Sequence, residues 1–161
     1  MIAVGDRLPD AHLLLKDADG IHPVDLSGRL AGRRVVLFAV PGAFTPTCDA
    51  AHLPIFIRNA GAFAEKGVDE IICVSVNDAH VMQVWGAQSG ADEAGITMLA
   101  DGDGAFSRAL GLSYSNPAAG MFDRSRRYAM LLEDGVVKAL HLDELGQCAI
   151  STGEAMLAEL A

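Results

Sequence analysis

Thr45, Cys48 and His52 fall within eight residues of one another, and each carries a group able to donate, accept or transfer. Cys48 follows Val35-Val36-Leu37-Phe38-Ala39-Val40, an apolar run that reads as a buried strand. A turn at Pro41-Gly42-Ala43-Phe44 comes next, and Thr45-Pro46-Thr47 reads as the opening of a helix. A thiol in the first helical turn faces unpaired backbone N–H groups and the positive end of the helix dipole. Both favour the thiolate, the reactive form of cysteine. The placement therefore points to redox or acyl-transfer chemistry at Cys48. His52 lies four residues on, on the same helical face. Two readings of it stand: a hydrogen-bonding group that tunes the thiol, or a side chain that packs beside the kink Pro54 should impose. A metal site built on Cys48 and His52 lacks the paired spacing of structural zinc ligands, so no metal is expected.

The other two cysteines read differently. Cys73 sits in Ile71-Ile72-Cys73-Val74, where a small buried thiol is ordinary core. A bridge to Cys48 needs the two Cα atoms within about 7 Å and would call for local unfolding. Cys148 lies near a C-terminal loop. Three cysteines do not make a disulfide framework and suggest a reducing compartment. The opening Met1-Ile2-Ala3-Val4-Gly5-Asp6 shows no basic region followed by an apolar core, so a cytoplasmic location is expected. No apolar stretch approaches a membrane span. A net charge of −9 argues against a phosphate-backbone partner, since nucleic-acid affinity rests largely on Lys and Arg. The basic residues cluster at Arg33-Arg34 and at Arg124-Ser125-Arg126-Arg127, each of which also reads as a solvated strand end.

The elements that must hold Cys48 follow from periodicity. Ala11–Leu15 and Val24–Leu26 predict a hairpin around Asp17-Ala18-Asp19-Gly20. Leu53, Phe56, Ile57, Ala60 and Phe63 recur at helical steps, predicting a helix from Thr45 to Lys66, with Thr45 as N-cap and Gly67 as C-cap. Glu70–Val76 is a second buried strand, and the strand–helix–strand order implies a right-handed parallel crossover. A helix capped by Asn77-Asp78, a strand over 97–100 and a short helix over 105–110 follow. Arg127–Glu133 and Val136–Leu142 predict a hairpin around Glu133-Asp134-Gly135, and Thr152 caps a last helix. At 161 residues, 51% of them hydrophobic, the chain suits one α/β domain with a parallel core.

The segment Pro41-Gly42-Ala43-Phe44-Thr45-Pro46-Thr47-Cys48 resembles the peroxiredoxin signature of Pro, three residues, Thr, two residues, Cys. The resemblance continues through His52-Leu53-Pro54, Cys73–Asp78, Trp85, Leu99-Ala100-Asp101-Gly102 and Arg124–Tyr128. It is to the subfamily that contains plant type II and mammalian type V peroxiredoxins. The resemblance implies a thioredoxin-like fold, a central mixed sheet flanked by helices. It implies a thiol peroxidase acting on hydrogen peroxide and alkyl hydroperoxides, with no cofactor. Cys48 would be the peroxidatic residue, Thr45 its hydrogen-bonding partner and Pro41 a shield over the pocket, which Phe44, Thr47 and His52 would border. Arg127 matches the family's arginine; strand alternation sends Arg126 to the opposite face, so only one of the two should reach Cys48.

The resemblance also implies a homodimer, to which Trp85, Phe44 and Phe122 are candidate contributors, though each alone reads more simply as core. The resolving cysteine of some mammalian-type relatives aligns with Ser151, not Cys148, so a one-cysteine cycle is expected, with Cys73 and Cys148 as possible resolving thiols. Glutathione with glutaredoxin, or thioredoxin, would then reduce the sulfenic acid. A reading from another class is a redox-sensing or chaperone-like binding module switched by Cys48 oxidation.

Overall fold

The computed structural model describes residues 1–160. An interior strand of its sheet is β3 (Arg34–Val40), and residues 35–40 are fully buried because both faces of this strand are covered. Around it lie β1 (His12–Asp17), β2 (Gly20–Asp25), β4 (Glu70–Ser75), β5 (Ile96–Ala100), β8 (Tyr128–Glu133) and β9 (Val136–Leu142), in one seven-stranded sheet ordered β2-β1-β5-β4-β3-β8-β9. The β3–β4 and β4–β5 pairs are parallel, and the flanking pairs are antiparallel.

Alternation along β3 divides the interior into two cores. Val36, Phe38 and Val40 face one core, shared with α2 (Leu53–Glu65), α3 (Ala79–Ser89) and α5 (Gly153–Ala158). Val35, Leu37 and Ala39 face the other, with α1 (Leu26–Leu30) and α4 (Ala105–Ala109). Cys48 and Cys73 both belong to the first. This is the mixed-sheet, helix-flanked thioredoxin-like arrangement that the sequence led one to expect.

The departures are local. The second strand runs the whole of Gly20–Asp25, and Leu26 opens α1 instead of ending that strand. A separate two-stranded ribbon, β6 (Ser113–Asn116) and β7 (Met121–Ser125), joined through a 3-10 turn at Pro117–Ala119, has no counterpart among the predicted elements. The predicted helix from Thr45 is helical from Pro46, but it widens to a π-helical turn over Cys48–His52 before α2 begins. Pro54 cannot donate to the carbonyl four residues back, and immediately before it the Leu53 N–H reaches five residues back to the Cys48 carbonyl. The helix absorbs the proline by widening around the cysteine. Thr45 does not cap with its side chain; its hydroxyl donates to the Gly42 carbonyl at 2.7 Å. Gly67 ends the helix with φ +83°, as expected of a C-cap glycine.

Candidate active site

Cys48 is held by what surrounds its loop. Phe44 takes a left-handed backbone (φ +63°), the sharp bend between strand and helix. The Asn77 Oδ1 accepts from the Ala43 amide (3.0 Å) and from the Ser75 hydroxyl (2.6 Å), tying the loop after β3 to the end of β4. On the far side of the cysteine, the buried Trp85 donates from Nε1 to Asp49 Oδ1 at 2.8 Å. The π turn is thus anchored to α3 one residue past the sulfur.

Arg127 arrives from the position just before β8, 79 residues away, and is buried. Its Nη2 donates to the Cys48 Sγ at 3.0 Å, and its Nη1 donates to the His52 Nδ1 at 2.9 Å. Arg126 points elsewhere, donating to the Asp143 carbonyl at 3.1 Å. Arg127 has no carboxylate partner among the described residues. A buried guanidinium without a counter-ion is costly, and an anionic sulfur is the acceptor that would offset it.

His52 is fully buried, edge-on to Phe38 and Phe56 with ring centroids 5.2 and 5.5 Å away. It both packs and hydrogen-bonds, its bonds going to Arg127 and Ser151 and its packing to Phe38 and Phe56. Burial, and then the adjacent Arg127 charge, push its pKa down to about 3 against the opposing pull of Ser151 and Asp143. The ring is neutral. Arginine has no acceptor, so Nδ1 must accept and Nε2 must carry the hydrogen. That Nε2 faces the Ser151 carbonyl at 2.8 Å and the Ser151 hydroxyl at 3.2 Å. The Ser151 hydroxyl bonds the Asp143 carboxylate, which also accepts from the Ala149 (3.0 Å), Ile150 (2.8 Å) and Ser151 (3.1 Å) amides. Burial works to raise the Asp143 carboxyl, but these bonds win and hold it below its usual value.

Beside Arg127 opens a cavity of about 190 Å³, room for a small molecule. Pro41, Thr45, Thr47 and Arg127 line it, whereas Phe44 and His52 do not. Phe44 is instead half exposed and tilted over Trp85, with centroids 6.2 Å apart, and His52 lies behind Arg127. The remaining lining includes Tyr114 and Met121 from the unpredicted ribbon, and Glu144, Leu145 and Gly146 from the loop after β9. Burial pushes the Tyr114 phenol up, so it remains a neutral donor at the cavity wall. None of these five was a sequence candidate.

The three cysteines are free. Burial pushes the Cys73 thiol well up, with the nearby Cys48 adding to the effect, so it stays a protonated core group. Cys148 is partly buried in the loop between β9 and α5, and burial raises it too, against the pull of Arg127.

The likenesses to known proteins agree with this geometry. Residues 3–157 match the redoxin family. The chain is 52% identical to peroxiredoxin-2E-2, chloroplastic, of Oryza sativa subsp. japonica, over 99% of its own length and 72% of that protein. It superposes on reduced Prx3 in complex with hydrogen peroxide from Vibrio vulnificus with a TM-score of 0.95 at 46% identity, covering all of both chains. Peroxiredoxin 5 from Alvinella pompejana gives 0.86 at 34% identity, with 99% and 98% of the two chains covered. A strand-to-helix cysteine under a buried arginine, on this fold and with these relatives, places the chain in the redoxin family as a peroxiredoxin, a thiol peroxidase.

Proposed function

We propose that Cys48 is the peroxidatic residue of this thiol peroxidase. The observation that carries the proposal is the 3.0 Å bond from Arg127 to its sulfur. The thiolate attacks one peroxide oxygen in line, the O–O bond breaks with its electron pair leaving on the other oxygen, and that oxygen takes a proton as water or alcohol. Cys48 is left as a sulfenic acid. Arg127 and Thr45 line the cavity in which the leaving oxygen gains charge. A donor aimed at such charge contributes about 3 kcal/mol. Pro41 walls the same cavity.

The cycle closes with external thiols. A thiol condenses with the sulfenic acid, releasing water and forming a mixed disulfide, and a second thiol displaces Cys48 from it. Glutathione with glutaredoxin, or thioredoxin, supplies those thiols in our reading, in a reducing compartment such as the cytoplasm. The neutral, core-packed Cys73 supports a cycle without an internal bridge, and the raised Cys148 thiol is a poor attacking group. A homodimer is supported by the exposed apolar side chains around the site: Phe44, Phe122, Leu145 and Ile150.

Stopped-flow peroxide kinetics on three variants test this. Cys48→Ser is expected to lose peroxide turnover with its fold intact, while Cys73→Ser and Cys148→Ser retain turnover with a glutaredoxin system. Normal turnover by Cys48→Ser would end the proposal. A Cys48–Cys73 or Cys48–Cys148 bridge in non-reducing mass spectrometry after peroxide would overturn the one-cysteine cycle.

A further inference from the structure

We infer that His52 is a positioning residue for Arg127, and that the loop from Asp143 to Ser151 makes it one by fixing which ring nitrogen carries the hydrogen. The inference rests on reading Cys48 as the reacting residue.

An arginine side chain is long, and holding its fork in one place costs rotamer freedom unless both arms are anchored. At Arg127 one arm is on the reacting sulfur and the other is on His52 Nδ1. That second anchor exists in only one tautomer. With the hydrogen on Nδ1, two N–H groups would meet at 2.9 Å, and the guanidinium would be pushed away. The Ser151 carbonyl, which can only accept, selects the other tautomer from 2.8 Å.

The position of that carbonyl is itself specified. Asp143 gathers the amides of Ala149, Ile150 and Ser151 onto its carboxylate, closing the loop into a compact turn under His52. Asp143 is also the residue that donates its backbone N–H to the Arg127 carbonyl, at 3.0 Å. One aspartate therefore sets the Arg127 main chain directly and the Arg127 side chain through Ser151 and His52. The stacked Phe38 and Phe56 rings pack against His52 in edge contacts, with centroids 5.2 and 5.5 Å away, and hold the ring in place. Arg127 lies between His52 and the cysteine, which leaves His52 no path to act as a base on the thiol.

Two readouts test the inference, and neither requires peroxide turnover. Nitrogen-15 NMR of histidine-labelled protein is expected to show His52 as the neutral Nε2–H tautomer at pH 7. The pH midpoint of Cys48 alkylation reports how well Arg127 is held on the sulfur. His52→Phe keeps the ring and loses the nitrogens; it is expected to move that midpoint upward and to slow the peroxide step by about tenfold or more. His52→Gln restores an acceptor and a donor in one side chain, and is expected to recover most of both. A residue that merely fills space would show the reverse order, with Phe better than Gln.

Asp143→Asn is expected to shift the alkylation midpoint in the same direction as His52→Phe, and it supplies the variant test if His52→Phe does not fold. Hydrogen on Nδ1 in the wild-type spectrum, or an unchanged alkylation profile in folded His52→Phe, would overturn the inference. Failure of the wild-type protein to consume peroxide would instead overturn the reading of Cys48, leaving the tautomer and alkylation results to stand separately.

Discussion

Replacing Arg127 by methionine separates what the buried cation does for the reaction from what it does for the fold. Methionine is unbranched, of similar length, and fills irregular apolar space. Two bonds disappear: 3.0 Å to the Cys48 sulfur and 2.9 Å to His52 Nδ1. Losing the first removes a charged donor from the wall of the cavity in which we propose that charge develops on the leaving oxygen. Such a loss typically costs about a hundred- to a thousandfold in rate. The same bond is also present in the resting protein, where a hydrogen bond from a charged donor contributes about 1.5–3 kcal/mol. The two costs share one guanidinium and do not add in full. The second-order constant for peroxide should therefore fall by about a hundred- to a thousandfold.

The fold should barely notice. Exchanging a buried ionic group for an apolar one of similar volume is often neutral or stabilising, by about 1–4 kcal/mol. Against that, His52 Nδ1 is left buried without a donor, at about 1–3 kcal/mol. The two largely cancel: the net lies between about 2 kcal/mol destabilising and about 3 kcal/mol stabilising, so any fall in Tm should stay within about 4–8 °C for a domain of this size. Stopped-flow peroxide consumption and a thermal melt on one preparation suffice. A folded Arg127→Met protein within about threefold of the wild-type rate would refute the reasoning about the transition state. A melt lower by 10 °C or more would refute the reasoning about the cation.

Three further expectations concern the scaffold. Burial works to raise the Glu70 carboxyl, but the bonds from Arg29 (2.6 Å) and Thr97 (2.5 Å) and the Arg29 and Arg33 charges hold it below its usual value. The unfolded chain then binds this proton at higher pH than the folded one, so the contribution is present above about pH 4.3 and fades as pH falls towards the folded value. Glu70→Gln should cost about 1–2 kcal/mol in denaturant melts at pH 7, the arginines being partly exposed, and less at pH 3. For His52 the unfolded ring carries a proton between about pH 3 and 6.5 that the folded ring refuses, so stability should rise with pH across that window by up to about 1.4 kcal/mol per unit; melts of His52→Gln should lack that component of the slope. Gly86→Ala should destabilise despite alanine's better helix propensity, by about 1–3 kcal/mol in urea, because the new Cβ would lie 2.5 Å from Asp92 Oδ1 and 2.9 Å from Met98 Cγ.

Much of the scaffold was readable in the sequence because its signals are local. Val35–Val40 is apolar at every position, and the structure puts it inside the sheet, paired on both sides and fully buried. Thr152 before Gly153-Glu154-Ala155 looks like a cap, and its side chain accepts from the Ala155 amide. The ribbon of β6 and β7 escaped because Ser113–Asn116 is polar and partly exposed, with no apolar alternation to betray a strand. Phe44, expected to border the pocket, has a left-handed backbone and is exposed instead. Asp143 and Ser151 went unassigned because their meaning depends on His52, 99 residues from Ser151. A single local signal existed for Asp143: an aspartate directly after a strand, a few residues before Gly146, is well placed to collect loop amides.

The meeting of Cys48 with Arg127 is at bottom a matter of register. Tyr128 pairs with Ala39 of β3 and with Leu142 of β9. Along β8 the even-numbered Tyr128, Met130 and Leu132 face the core of α1 and α4, while Ala129 and Leu131 face the core of α2. Continuing that alternation back by one residue sends Arg127 towards α2, and so to the cysteine at its start; Arg126 goes the other way. A slip of a single residue would exchange the two arginines, bury the wrong one and leave the sulfur without its cation. The residues that forbid the slip are far from the chemistry: Tyr128, Met130 and Leu132 are too large and too apolar to be turned into the opposite core without disrupting it. The Asp143 amide on the Arg127 carbonyl locks the last rung of the β8–β9 ladder, where β9 gives way to the loop that specifies His52. Strand packing and the polar network thus converge on the same guanidinium from two sides, and the packing of one core decides the chemistry at the edge of the other.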